Sequence, residues 1–174
     1  MQNAINILAS KGIINGTTAT TFAPDSPITR TQIAALIVRA LSRYDPNADG
    51  GFTDVRRNDW FFGEVGSAKR FGIINGTSPT TFAPNNNIQK DQIVAICART
   101  LRSGMGYRNP SDVSGALSRY SDAGSIAQWG REDIALATRE GLVVYRTDNT
   151  FNGSATMTRG DAAIILYRMF MKIW

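Results

Sequence analysis

Histidine is absent from this 174-residue sequence, and cysteine occurs once, as Cys97. Without histidine the chain lacks the commonest general base, every Ser-His or Cys-His nucleophile pair and the usual zinc ligand. A single cysteine also excludes an internal disulfide and a multi-cysteine zinc site. We therefore expect neither triad chemistry nor metal-assisted hydrolysis, and no metal site.

Glutamate is scarce as well, with three residues, Glu64, Glu132 and Glu140. A glycosidase holds two carboxylates roughly 5 to 10 Å apart across the scissile bond, and the spacing of these residues suggests no such pair. The glycine-rich stretches match neither the GxxxxGKS/T loop nor the GxGxxG fingerprint of nucleotide-binding sites. The sequence thus predicts a non-enzymatic protein without a cofactor.

Long apolar runs are also lacking. The run from Ile33 to Leu41 is interrupted by Arg39, well short of the ~20 residues that a membrane span requires. Positive charge is in excess, with 19 Lys and Arg against 14 Asp and Glu. This balance favours an anionic partner, and nucleic acid, acidic lipid and acidic glycan all meet that requirement.

An internal repeat is the strongest feature of the sequence. The segment from Gly12 to Leu41 recurs as Gly72 to Leu101, with seventeen of 30 positions identical, and a weaker third copy runs from Gly141 to Phe170. An upstream element also repeats: Phe52-Thr53-Asp54-Val55 with Trp60, and Tyr120-Ser121-Asp122-Ala123 with Trp129. We place the three units at 1–44, 52–103 and 120–174.

Copy one lacks this upstream element. Either the element lies outside this chain, which would then be a fragment or a processed form, or one binding groove is incomplete.

Each unit is predicted to contain two helices joined by a long polar loop. The first helices lie near 3–11, 60–71 and 129–140. The second helices each show one apolar face, which in copy one includes Ile33, Leu36 and Ile37. Cys97 takes the position of Ile37 in copy two, so we expect it to be a buried hydrophobic residue. Thr29 with Gln32, and Thr158 with Asp161, have the spacing of capping boxes at the starts of the second helices. In copy two, Gln89 replaces the capping threonine.

Because single helix pairs cannot cover their own apolar faces, we expect a mainly α protein. The three helix-loop-helix repeats should form a pseudo-three-fold bundle with long inter-helix loops. The stretches 45–51 and 104–117 are rich in turn-forming residues and read as linkers between the units.

A basic residue follows the cap of each second helix, as Arg30, Lys90 and Arg159. A cation at a helix N-terminus opposes the helix dipole, so its repetition indicates an anionic ligand or an ion pair. A salt bridge to Asp54 or Asp122 is an equally good explanation at any single position.

Aromatic and glycine residues complete the candidate ligand-binding set. Trp60 and Trp129 are predicted to pack in the core with one edge open to a sugar ring. Gly16 and Gly76 follow asparagine in turns, where positive φ, close ligand approach or a simple turn would each require glycine. Tyr145 takes this place in copy three, so its groove should differ.

Three further phenylalanines lie in the polar loops, and we expect them to pin these loops to the core. They are Phe22, Phe82 and Phe151.

The aromatic-x-Asp-Val element, the Trp, GIING, the TTFAP loop and ITR before an amphipathic helix together resemble the S-layer homology family. This resemblance implies an extracellular module at the cell wall or S-layer. Its inter-repeat grooves would bind an anionic, pyruvylated secondary cell wall polysaccharide linked to peptidoglycan. Neighbouring surface-layer proteins would be further partners.

The resemblance also implies that Arg30 and Arg159 contact the pyruvyl carboxylate. Lys90 departs from the family's Thr-Arg-x-Glu pattern, which predicts a weakened or altered second site.

The sequence is compatible with three alternative functions. A helical scaffold that docks protein partners is one. A basic nucleic-acid-binding module is another, although Lys and Arg are scattered rather than clustered on one helix. A wall-active hydrolase is the third, and the missing histidine and acid pair argue against it.

Overall fold

The computed structural model describes residues 1–18, 20–143 and 146–174. Within these residues the chain forms seven α-helices and two short 3-10 turns, Ala123–Ser125 and Gln128–Gly130. The helices are α1 (Gln2–Ser10), α2 (Arg30–Ala40), α3 (Phe62–Arg70), α4 (Lys90–Met105), α5 (Val113–Leu117), α6 (Arg131–Arg139) and α7 (Arg159–Ile173). The predicted mainly helical fold is confirmed, and the predicted first helices agree with α1, α3 and α6 to within two residues.

Each repeat contributes two helices that follow each other in the sequence: α1 and α2 in repeat 1, α3 and α4 in repeat 2, and α6 and α7 in repeat 3. The second helix of each repeat packs on the first helix of the next: α2 on α3, α4 on α6, and α7 back on α1. The repeats therefore close into a ring instead of a linear stack.

Backbone hydrogen bonds close this ring at its centre. The N–H of Ile28 donates to the carbonyl of Met157 at 3.1 Å, that of Met157 to Ile88 at 3.0 Å, and that of Ile88 to Ile28 at 3.0 Å. The side chains of all three residues are buried. Each residue lies two positions before a second helix, so the start of every second helix is held by a neighbouring repeat.

The predicted caps fix the starts of these helices. The Thr29 hydroxyl accepts from the N–H of Gln32, and the Gln32 side chain accepts from the N–H of Thr29, which completes the capping box. The Thr158 hydroxyl accepts from the N–H of Asp161 at 3.1 Å. The Asp161 carboxylate accepts a hydrogen bond from the Thr158 hydroxyl, and not from the backbone N–H of Thr158 as a full capping box would require. Both helices therefore begin at the basic residue that follows the cap.

The stretch 104–117 is not the simple linker that its composition predicted. Helix α4 runs on to Met105, and α5 packs against α6 with Leu117 fully buried. Asp112 caps α5 by accepting from the N–H of Gly115 at 2.7 Å. Leu117 and the Asp112 cap thus anchor this glycine- and serine-rich stretch to the core.

The core contains Cys97, which is fully buried as expected of its position on the apolar face of α4. Burial raises the pKa of its thiol to about 12. Phe82 and Phe151 are also buried and pin their loops to the core as predicted, whereas Phe22 is only partly buried. Across the described residues, every helix falls short of the length and apolar character that a membrane crossing demands.

Candidate ligand-binding groove

Arg30, the first residue of α2, reaches across to repeat 2. Its Nε donates to the carbonyl of Phe82 and its Nη2 to the carbonyl of Asn75, both at 2.8 Å. The guanidinium also lies 4.8 Å from the centroid of the Phe82 ring. Only 8% of Arg30 is exposed. The cation at this helix start is therefore compensated by carbonyl dipoles and an aromatic face of the neighbouring repeat.

Arg159 repeats this geometry at the start of α7. It donates to the carbonyl of Phe22 at 3.0 Å and of Asn15 at 2.8 Å, and lies 4.7 Å from the Phe22 ring. The pair of carbonyls matches that used by Arg30, now in repeat 1. Arg159 thus joins repeat 3 back to repeat 1.

Lys90 occupies the same place at the start of α4 and makes one contact of this kind. Its Nζ donates to the carbonyl of Phe151 at 2.6 Å and lies 5.0 Å from the ring. Burial lowers the pKa of Lys90, as it does those of Arg30 and Arg159. All three basic residues therefore connect neighbouring repeats, a role that the sequence pattern did not indicate.

Asp54 holds the loop that carries Phe82. Its two carboxylate oxygens accept from the N–H groups of Phe82 at 2.8 Å and Ala83 at 2.7 Å. Ala83 has a φ of 58°, a left-handed conformation that these bonds help to maintain. Burial alone would raise the pKa of Asp54, but the backbone N–H groups and the charge of Arg30 hold it below its ordinary value.

Asp122 does the same in repeat 3, accepting from the N–H groups of Phe151 at 2.7 Å and Asn152 at 2.8 Å. Among the salt bridges of the described residues, none joins either aspartate to a basic residue at the start of a second helix. A direct salt bridge was therefore the wrong expectation, because Arg30 and Lys90 donate to carbonyls of the neighbouring repeat instead, although the charge of Arg30 still acts on Asp54.

Gly16 and Gly76 lie in tight turns of the loops. A methyl group at Gly76 would collide with the carbonyl oxygens of Ser78 and Thr81 and with the Phe52 ring. Gly16 is enclosed by its own loop in the same way. Neither glycine has positive φ, so that explanation was wrong, and the close approach is made by carbonyls of the chain itself.

Trp60 and Trp129 are exposed by 61% and 53%. The expectation that they pack in the core was therefore wrong. Trp60 contacts Phe61 edge to face, with centroids 5.4 Å apart, and Arg99 lies 5.9 Å from the Trp129 ring. An exposed indole face is a platform for a flat ligand such as a sugar ring.

A groove of about 500 Å³ brings several of these residues together, and we call it the Arg30 groove. Repeat 1 contributes Arg30, repeat 2 contributes its loop and α4, and Trp129 comes from the segment before α6. The lining residues are Arg30, Asn75, Gly76, Thr77, Gln92, Ile96, Arg99 and Trp129. Three predicted site residues, Arg30, Gly76 and Trp129, thus converge from separate parts of the sequence.

A smaller cavity of about 190 Å³ includes Lys90, Arg146 and Asp161. Asp161 stands where the other second helices have Gln32 and Gln92, so this cavity contains a carboxylate that would repel an anion. Tyr145, which predicted a different groove here, lies outside the described residues.

In the sequence, the positions equivalent to Gly76, Gln92, Arg99 and Trp129 one repeat earlier are Gly16, Gln32, Arg39 and Trp60. Arg39 lies 3.6 Å from Glu64, which is buried. This set matches that of the Arg30 groove residue for residue at its glycine, glutamine, arginine and tryptophan.

The repeat pattern and the geometry agree with a comparison against protein families. The model of the S-layer homology domain matches residues 1–34, 51–93 and 119–163, one match in each repeat. The chain belongs to the S-layer homology family. Its three S-layer homology repeats are the units that close into the ring.

Individual relatives of this S-layer homology module span two kinds of protein. An amylopullulanase of Thermoanaerobacterium thermosulfurigenes is 32% identical over 171 residues, which cover 98% of this chain and 9% of that protein. A surface-layer 125 kDa protein of Lysinibacillus sphaericus is 25% identical, covering 96% of this chain and 14% of that protein. An S-layer protein of Bacillus thuringiensis subsp. finitimus is 24% identical over 92% of this chain and 19% of its own length.

The chain spans less than a fifth of each of these relatives. What enzymes and surface-layer proteins share with it is this module, and the family points to anchoring at the cell surface.

Proposed function

We propose that this S-layer homology module anchors a surface protein non-covalently to the bacterial cell wall by binding an anionic, pyruvylated secondary cell wall polysaccharide in the Arg30 groove. The observation that carries the proposal is the convergence of Arg30, Gly76 and Trp129 around one open groove. Surface-layer proteins among the relatives, and the net charge of +5, agree with an acidic partner at the wall.

Each of the three residues has a distinct role in this proposal. Trp129 offers an exposed indole face on which a sugar ring stacks. Arg30 donates one N–H of Nε and one of Nη2 to backbone carbonyls, so Nη1 and the second N–H of Nη2 remain for a carboxylate. Gly76 keeps the loop compact beside them.

The contacts of Arg30 decide how the proposal is tested. Arg30→Ala would remove two inter-repeat hydrogen bonds together with any ligand contact, so a loss of binding could reflect a damaged fold. Trp129 is exposed, and Trp129→Ala removes the stacking platform without opening the core. Trp174→Ala is a matched control, because Trp174 is 80% exposed and lies outside the groove.

The experiment measures binding of the chain to purified cell-wall sacculi before and after chemical removal of the secondary polymer. We expect binding to disappear with the polymer, Trp129→Ala to weaken it about tenfold, or ~1.4 kcal/mol, and Trp174→Ala to bind like wild type. Binding that survives polymer removal would contradict the proposal and favour a scaffold that docks protein partners. Equal binding to DNA, falling steeply with added salt, would favour the nucleic-acid alternative.

A further inference from the structure

The Arg30 groove contains a second arginine, Arg99, to which the proposal above gives no role. Arg99 lies on α4, nine residues after Lys90, and its guanidinium is 5.9 Å from the ring of Trp129. Its side chain is 18% exposed, so it reaches the groove while most of its stem is buried. A cation beside an exposed indole faces the same space as a sugar ring stacked on that indole.

A buried carboxylate fixes the orientation of this guanidinium. Arg99 Nε donates to Asp133 Oδ2 at 2.9 Å, and Asp133 on α6 is only 5% exposed. Arg102 contacts the other oxygen of Asp133. Two arginines share Asp133, and the exposed Glu132 joins the cluster only through Asn109 and Arg102. Asp133 is therefore neutralised without the Nη atoms of Arg99.

The equivalent arginines of the other repeats are held differently. Arg39 in repeat 1 lies 3.6 Å from Glu64, whose Oε2 has no hydrogen-bond partner among the described residues. Arg168 in repeat 3 donates Nη1 to the carbonyl of Val143 at 2.8 Å, in the loop that follows α6. Arg99 is thus the member of this set that combines a close buried carboxylate with an aromatic face in a groove.

We propose that Arg99 is a specificity-determining residue of the Arg30 groove, which contacts an acidic group of the bound polysaccharide, and that Asp133 is its positioning residue. This inference rests on the proposed function. With Arg30 it gives the groove two guanidinium groups, so the preferred ligand is a glycan with carboxylates and not its uncharged counterpart.

Arg99→Gln tests the inference, and Arg102→Gln is its matched control. Each variant removes one arginine from Asp133 and leaves the other in place, and Arg102→Gln also removes a hydrogen bond to Asn109. The control therefore disturbs the α4–α6 contact at least as much as the test variant. Of these two arginines, Arg99 lines the groove and Arg102 does not. Arg99→Lys is a third variant, which keeps the charge and loses the planar fork.

Affinity is measured by calorimetry with soluble polymer fragments, both native and after conversion of their carboxyl groups to neutral amides. We expect wild type and Arg102→Gln to prefer the native polymer equally. Arg99→Gln should lose about tenfold in affinity for the native polymer and little for the amidated one, with Arg99→Lys in between.

Two results would overturn the inference while leaving the proposed function intact. One is an unchanged preference for the native polymer in Arg99→Gln. The other is an equal loss in Arg102→Gln, which would assign Arg99 to the support of Asp133 alone. Wild type that binds neither polymer would overturn the proposed function, and this inference with it.

Discussion

The guanidinium of Arg30 binds Phe82 twice, through a 2.8 Å hydrogen bond to its carbonyl and through a 4.8 Å approach to its ring. Arg159 and Phe22 form the same pair, and Lys90 and Phe151 form its lysine version. The basic residue and the loop phenylalanine therefore form the same contact at each of the three interfaces between neighbouring repeats.

Replacing Arg30 by Lys should destabilise the fold. A lysine can keep the bond to the Phe82 carbonyl, as Lys90 does with Phe151, but it loses the second bond to Asn75. We expect the free energy of unfolding to fall by about 1.5 to 3 kcal/mol, since hydrogen bonds to charged groups contribute on this scale. Urea denaturation measures the change, and Arg56→Lys, at an exposed side chain, is the control. Coincident curves for the two variants would contradict the two-bond description.

Asp54→Asn should weaken the loop of repeat 2 and alter the acid sensitivity of the protein. An asparagine amide keeps one acceptor but turns its NH₂ toward one of the two N–H groups, at a cost of about 1 kcal/mol. The pKa of Asp54 in the folded protein lies below its ordinary value. The carboxylate therefore stabilises the fold fully at pH values above the ordinary pKa of an aspartate. This contribution disappears as the pH falls through the lower, folded-state pKa.

The stability difference between wild type and Asp54→Asn should accordingly be largest near neutral pH and shrink below about pH 4. Denaturant titrations at several pH values measure it. Asp25→Asn, at an exposed residue, should show no comparable change. A difference that stays constant down to pH 2 would show that the charge of Asp54 contributes nothing.

Gly76→Ala should be destabilising although alanine is the smallest possible addition. The new methyl group would meet two carbonyl oxygens and the Phe52 ring, so the turn must shift, at about 1 to 3 kcal/mol. Gly104→Ala makes the opposite prediction, because nothing lies near its Cβ position within α4 and alanine favours a helix by up to about 1 kcal/mol. Thermal melting of both variants checks the pair, and a lower melting temperature for Gly104→Ala would be inconsistent with the open space at that position.

Cys97 should resist thiol reagents in the folded protein. Its side chain is fully buried and burial raises its pKa to about 12, so the reactive thiolate is almost absent at pH 8. Labelling should become fast only where denaturant unfolds the chain, which makes the rate a reporter of global opening. Labelling of native protein at the rate of a free thiol would show that α4 opens locally.

The positions of the helices could be predicted from the sequence better than the way in which the helices pack against each other. Apolar periodicity and capping residues located the second helices, and repetition located the first ones. The short helix α5 escaped notice because five residues with one buried leucine give no periodic signal. The exposure of Trp60 and Trp129 was also missed, since a local pattern does not reveal which neighbour, if any, covers a side chain.

The site was predictable only in part, and for the same reason. Arg30, Gly76 and Trp129 were identified one by one, yet their meeting in one groove depends on how three repeats are placed around the ring. Arg99 had a signal in its recurrence as Arg39 and Arg168. The recurrence alone did not indicate a binding role, because the orientation of Arg99 depends on Asp133, which belongs to another repeat.

The ring formed by Ile28, Ile88 and Met157 has a mechanical consequence. In an open array of repeats, a force applied to the ends can peel off the terminal unit and proceed inward one unit at a time. Here α1 lies against α7, so tension between the first and last helices loads their mutual contact before any repeat can separate. We therefore expect the module to resist tension until the contact between α1 and α7 breaks, and then to unfold in a single step.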